Sequence, residues 1–92
     1  MLYTVYILYS DSHKIIYVGY TSNLIERIRS HNHLSTKDWT KLHRPWKVVY
    51  CEYFLNKSEA LKREKMLKGG KGREWIWNKI NNEYTQNGFI SA

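Results

Sequence analysis

Five residues stand out as a set able to handle protons, anions and cations: Tyr6, Tyr17, Arg27, His31 and Glu64. Arg27 and His31 stand four apart in the segment "NLIERIRSHN". At about 100° per helical residue, Leu24, Ile25 and Ile28 form an apolar stripe. Arg27 and His31 then lie about 40° apart on one shoulder of it, close enough to share a neighbourhood. Arg29 falls on the opposite shoulder. Two readings are open. The pair can be boundary residues whose stems cover the core while their heads reach water, or one half of an active site.

Glu64 is the more unusual residue. In "KSEALKREKMLK" the apolar stripe runs through Ala60, Leu61 and Leu67, and Glu64 falls inside it, about 40° from Ala60. Glu59 lies off the stripe. A carboxylate facing a core is costly unless it is paired or bound to a metal. Here too two readings stand: an ion pair to Arg27 or a neighbouring lysine, or a metal-binding carboxylate at the floor of a cleft.

These residues need elements to position them. "LYTVYILYS" (2–10) is rich in β-branched and aromatic residues, "DSHK" is turn chemistry, and "IIYVG" (15–19) is a second strand. A turn centred between Asp11 and Ser12 sets Tyr6 opposite Tyr17, on one face of the sheet. Gly19 ends this strand and turns the backbone toward a helix whose start carries a capping box, Asn23 with Glu26. That helix runs to His31 or Asn32. A polar loop over 33–45 holds the single proline, and "WKVVYCEYF" (46–54) is a third strand. Asn56 and Glu59 form another capping box, a basic helix follows, and Gly69-Gly70 stops it. A third helix covers 73–80. The order β-β-α-β-α-α predicts an α+β domain, a small three-stranded, mostly antiparallel sheet flanked by helices.

Composition narrows the function. The 92 residues carry 15 Lys and Arg against 8 Asp and Glu, a net charge of +7, with aromatics at 15%. A small domain this basic and aromatic points to a polyanionic partner, most often nucleic acid. The one cysteine, Cys51, excludes an intrachain disulfide and a cysteine-rich zinc module, and suits a reducing cytoplasm. The apolar start has no basic n-region or cleavage site and is too short to span a bilayer, so no membrane role is expected.

Lys62, Arg63, Lys65, Lys68, Lys71 and Arg73 crowd into one stretch flanking Glu64. Such a run is ordinarily a solvated helix face, but this one would also suit a phosphate backbone lying over the site. Trp75 and Trp77 read as core. "HNH" at 31–33 is not the nuclease signature of that name, and His31-x-His33 is too little for zinc. His13 and His43 read as bystanders.

Taken in order, these residues resemble the GIY-YIG nuclease domain. The first signature, normally Gly-Ile-Tyr, stands here as Thr4-Val5-Tyr6, and the second, normally Tyr-Ile-Gly, as Tyr17-Val18-Gly19. "YVGYTSNLIERIRSHN" matches the following turn and helix, with its arginine (Arg27) and histidine (His31). "EALKREKMLK" matches the helix that carries the family's glutamate, Glu64. The resemblance covers residues 1–80 and is strongest to small stand-alone proteins of the excision-repair-nuclease-like branch. It implies one nuclease domain over 1–82 and a weakly patterned tail over 83–92.

It further implies hydrolysis of DNA phosphodiester bonds, in repair or recombination, with one divalent metal ion, Mg²⁺ or Mn²⁺, held by Glu64. Arg27 would pair with the scissile phosphate. Tyr6 and Tyr17 would position and activate the attacking water, with His31 as the assisting base. A free tyrosine, with a pKa near 10, is about one part in a thousand phenolate at pH 7. Lys37, Lys62, Arg63, Lys65, Lys68, Lys71 and Arg73 would bind nucleic acid. Asn78 is the nearest position to the family's late asparagine. A chain this short would rely on substrate shape or a protein partner for targeting. The alternative is a non-catalytic nucleic-acid-binding module on the same fold.

Overall fold

The computed structural model describes residues 2–34 and 43–82. Strand β1 (Tyr3–Ser10) lies between β2 (Ile15–Thr21) and β3 (Lys47–Phe54), antiparallel to both. Helix α1 (Leu24–Arg29) continues into a π-helical turn (Ser30–Leu34), and α2 (Lys57–Lys68) is followed by α3 (Gly70–Ile80). The α+β class and the element order are as the sequence predicts. Lys37 and the tail 83–92 lie outside the described residues.

As the central strand, β1 is buried on both faces, which is why its sequence is a continuous apolar run instead of an alternation. Its odd residues Val5, Ile7 and Tyr9 join Ile16 and Val18, and pack against Ala60 and Leu67 of α2 and Ile76 and Ile80 of α3. Its even residues Tyr6 and Leu8 join Trp46, with Ile15, Tyr17, Leu24 and Ile28 packed around them. The sheet is thus covered by α2 and α3 on one side and by α1 on the other.

The hairpin register differs from the expected one. Ser10 pairs with Ile15, Tyr6 with Gly19, and Leu8 with Tyr17. The loop is Asp11–Lys14, closed by a hydrogen bond from Lys14 N to Ser10 O of 2.7 Å, with Lys14 itself left-handed at φ 58°. The slip is two residues, and strand side chains alternate with period two. Tyr6 and Tyr17 therefore keep the same face, as diagonal instead of direct neighbours.

Gly19 also differs in role. It lies inside β2, not at its end, directly across from Tyr6. A Cβ there would sit 2.5 Å from the Tyr6 hydroxyl and 2.7 Å from its Cζ. The glycine is the space into which the Tyr6 ring lies down.

Asn23 caps α1 by accepting from Glu26 N at 3.2 Å. Asn56 caps α2 through Ser58, whose backbone N and hydroxyl both donate to it, at 2.8 and 2.6 Å, and not through the expected Glu59. Helix α3 starts three residues earlier than expected. Gly69 stays extended, and α3 turns back so tightly that a Cβ on Gly72 would meet Leu67 Cα at 2.6 Å.

Candidate active site

Tyr6 is the centre of the site. It is fully buried at mid-sheet, and its hydroxyl lies 3.0 Å from His31 Nε2. Arg27 Nε donates to the same oxygen at 3.3 Å. With Arg27 donating to the phenol oxygen, the hydroxyl proton is free to point at Nε2 of His31, a bond that requires the Nδ1-protonated tautomer. Tyr17 stacks beside Tyr6 with ring centroids 6.2 Å apart, and its ring meets His31 edge-on at 4.6 Å. Tyr6 and His31 are sealed in, while Tyr17 is half-buried and the body of Arg27 is exposed. A depression of about 250 Å³, lined by Thr21, Asn23, Glu26, Arg27 and Ser30, opens beside the guanidinium.

The electrostatics follow from this packing. Burial pushes the Tyr6 phenol up to about 12; the Arg27 hydrogen bond pulls the other way, and the charges of Tyr17 and Glu64 add to the rise. The Arg27 guanidinium is held more firmly protonated by its bond to Tyr6. Glu64 therefore lies close enough for its charge to be felt at Tyr6. Its side chain is only 17% exposed, between the buried Ala60 and Leu67 of its helix. Of the partners weighed for it, the structure pairs it with Lys68, whose Nζ is 3.6 Å away and which is 53% exposed.

Among the described residues no three His, Cys, Asp or Glu side chains gather into a metal cluster. A metal at Glu64 would have one protein carboxylate, with water and substrate oxygens for the rest. That donor set fits a hard cation such as Mg²⁺, which keeps several waters. Lys68 reaches Glu64 only loosely from solvent, so the carboxylate is not locked away.

The other predicted residues are spread more widely. Lys62, Lys65 and Arg73 are exposed on α2 and α3. Arg63 is engaged by Glu52 of β3 through contacts of 2.9 to 3.0 Å, and Tyr50 donates to the same carboxylate at 2.6 Å. Burial raises the Glu52 carboxyl, but Arg63 and Tyr50 outweigh it and hold the group below its ordinary range. Asn78 lines a groove with Lys71, Glu74 and Trp75 on α3 and is not among the tyrosines. Trp77 packs edge-on against Tyr9 as core, whereas Trp75 is 40% exposed.

Two residues that hold the site escape sequence reasoning. The Asn32 side chain clasps the Trp46 backbone from both sides, accepting from its N at 2.6 Å and donating to its O at 3.1 Å. Arg44 donates to the carbonyls of His31 at 2.6 Å and Ser30 at 3.4 Å. Together they fix the π turn that delivers His31 to Tyr6. All four bonds join a side chain to backbone more than ten residues away, which no local pattern records.

This fold and this cluster of Tyr, Arg, His and Glu side chains define a class of nuclease domain. The GIY-YIG catalytic domain family model matches residues 2–81, and the chain belongs to that family, part of a nuclease superfamily. Its similar relatives are UPF0213 proteins. The UPF0213 protein SSP2268 of Staphylococcus saprophyticus is 45% identical over 53 residues, 58% of this chain and 65% of that protein. CPE1444 of Clostridium perfringens is 43% identical over 53 residues, 58% of this chain and 57% of that one. The matched stretch thus covers less than two thirds of these relatives' own length. The solution structure of the UPF0213 protein BH0048 from Bacillus halodurans shares the fold, with a TM-score of 0.54 at 24% identity, over 100% of this chain and 95% of that one.

Proposed function

We propose that this chain is a metal-dependent endonuclease that hydrolyses DNA phosphodiester bonds, built as one domain over residues 1–82 and working in the cytoplasm in repair or recombination. The observation that carries the reading is the bonded set Arg27–Tyr6–His31, with Tyr17 stacked on it and the charge of Glu64 within reach. No described helix is long and apolar enough to cross a membrane.

In this reading water attacks the phosphorus and the bond from phosphorus to the departing oxygen breaks. Arg27 has the exposed end of the cluster and faces the phosphate, where its fixed charge offsets the negative charge that grows in the transition state. Tyr17 is the half-buried hydroxyl able to meet and orient the water. Tyr6, sealed and held neutral, relays a proton toward His31 Nε2, which is the base of the site. A divalent cation at Glu64, Mg²⁺ or Mn²⁺, would supply stabilisation of the departing oxygen. Lys62, Lys65, Lys68, Lys71 and Arg73 lie on or next to the helix that carries Glu64 and give the strand a cationic track. Substrate shape or a protein partner would supply targeting.

The experiment is nicking of supercoiled plasmid with Mg²⁺, with Mn²⁺ and with chelator. The wild type should cut only with metal, and Glu64→Ala should lower the rate by about 100-fold or more, the scale of losing one electrostatic stabiliser, while holding duplex DNA as tightly as before. The Glu64–Lys68 ion pair favours a second reading, a binding module on the nuclease fold. That reading predicts salt-sensitive binding, no cutting with either metal, and no effect of Glu64→Ala.

A further inference from the structure

Trp75 is the largest side chain type in a domain short of core, yet it is 40% exposed while Ile76 and Ile80 of the same helix are buried. Its ring is buttressed edge-on by Tyr50 at 5.2 Å. The cationic ends of Arg63 and Lys79 each lie over its ring, 5.8 Å from the centroid. It stands as a ridge between two open grooves. One, of about 350 Å³, is floored by Met66, Leu67 and Gly72; the other, of about 340 Å³, is bounded by Glu74 and Asn78; Lys71 borders both. Met66, 64% exposed, adds a polarizable apolar wall.

We propose that Trp75 is a stacking platform for an unpaired base of single-stranded DNA, with Lys71 and its cationic neighbours holding the flanking phosphates. This rests on the nucleic-acid reading above and names its substrate class. In a duplex the base faces are already stacked, so an exposed indole gains a partner only where a base is unpaired. Base–aromatic stacking beside cations is how single strands are gripped without sequence preference. The net charge of +7 supplies the complementary sign. Helix α2 ties the platform to the site, since it carries Glu64, whose charge is felt at Tyr6, and also Arg63 and Met66, which line the groove. The substrate class is therefore DNA with an unpaired stretch.

The test is fluorescence anisotropy with the full chain in chelator, using labelled oligothymidylate, a matched duplex, and heparin as a polyanion without bases. Trp75→Ala should weaken oligothymidylate binding about tenfold, within the range of losing one base stack, and leave duplex and heparin binding within about twofold. Trp75→Phe should retain most of the single-strand affinity. Equal loss on all three ligands would mark a general anion patch or a surface for an acidic protein, and would overturn the proposal, as would no loss on any. Cross-linking of 5-iododeoxyuridine oligomer to the wild type needs no variant. The adduct should map to Trp75, and adducts confined to other residues would overturn the assignment. A wild type that binds none of these ligands fails the nucleic-acid reading itself, whereas binding that ignores Trp75 fails only this inference.

Discussion

Tyr6 carries a phenol pushed up to about 12, first by burial and then by the nearby charges of Tyr17 and Glu64, against the pull of Arg27. Near neutral pH about one part in 10⁵ is phenolate, so folded Tyr6 keeps its proton there. The shift has a consequence for stability. In the unfolded chain tyrosine ionises near pH 10, while folded Tyr6 keeps its proton to about 12. Between these values the unfolded state binds fewer protons, so stability falls as pH rises. The contribution is whole below about pH 10, and its loss reaches about 2–3 kcal/mol by pH 12. Tyr6→Phe should flatten this limb, making the urea-measured decline between pH 9 and 11 shallower by about 1 kcal/mol. Parallel declines would contradict the burial account. At this scale the sequence is informative where chemistry and pattern conflict. Glu64 stands out because a carboxylate interrupts an apolar stripe. Trp75 does not, because a tryptophan on a helix reads as core until its exposure is seen.

The elements explain why the tyrosine pair was legible and its register was not. Alternation has period two, so Tyr6 and Tyr17 share a face whether the loop holds two residues or four. Only the left-handed Lys14 and the Ser10–Ile15 pairing select four. Gly19 marks the same limit. A glycine near a strand end looks like a terminator, and its use as space for the Tyr6 ring depends on that register. The π turn is the element the sequence does not show. Its two anchors, Asn32 on Trp46 and Arg44 on the His31 and Ser30 carbonyls, join segments separated by the loop. Asn32→Ala removes both bonds to the Trp46 backbone, which should destabilise the fold by about 1–3 kcal/mol. It should also free the His31 ring, so that its NMR signals lose the shift imposed by Tyr6. Unchanged thermal stability together with unchanged His31 signals would show that the turn is held by other means.

Across the whole molecule, the site draws on distant parts of the chain. Tyr6 and Tyr17 come from the hairpin, Arg27 and His31 from α1 and its π turn, and Glu64 from α2, whose Ala60 and Leu67 belong to the opposite core cluster. Net charge and the basic run point to a polyanion from sequence alone. That Arg63 is committed to Glu52 while Lys71 borders open grooves is a matter of tertiary placement. The central claim is that Glu64 meets the tyrosine cluster as a metal ligand, and paramagnetic broadening tests it most directly. Substoichiometric Mn²⁺ added to the ¹⁵N-labelled chain should broaden the amide signals of Glu64 and its helical neighbours together with those of Tyr6, Tyr17 and Gly19, and Glu64→Gln should abolish the effect. Broadening that ignores the hairpin, or that persists in Glu64→Gln, would contradict the account.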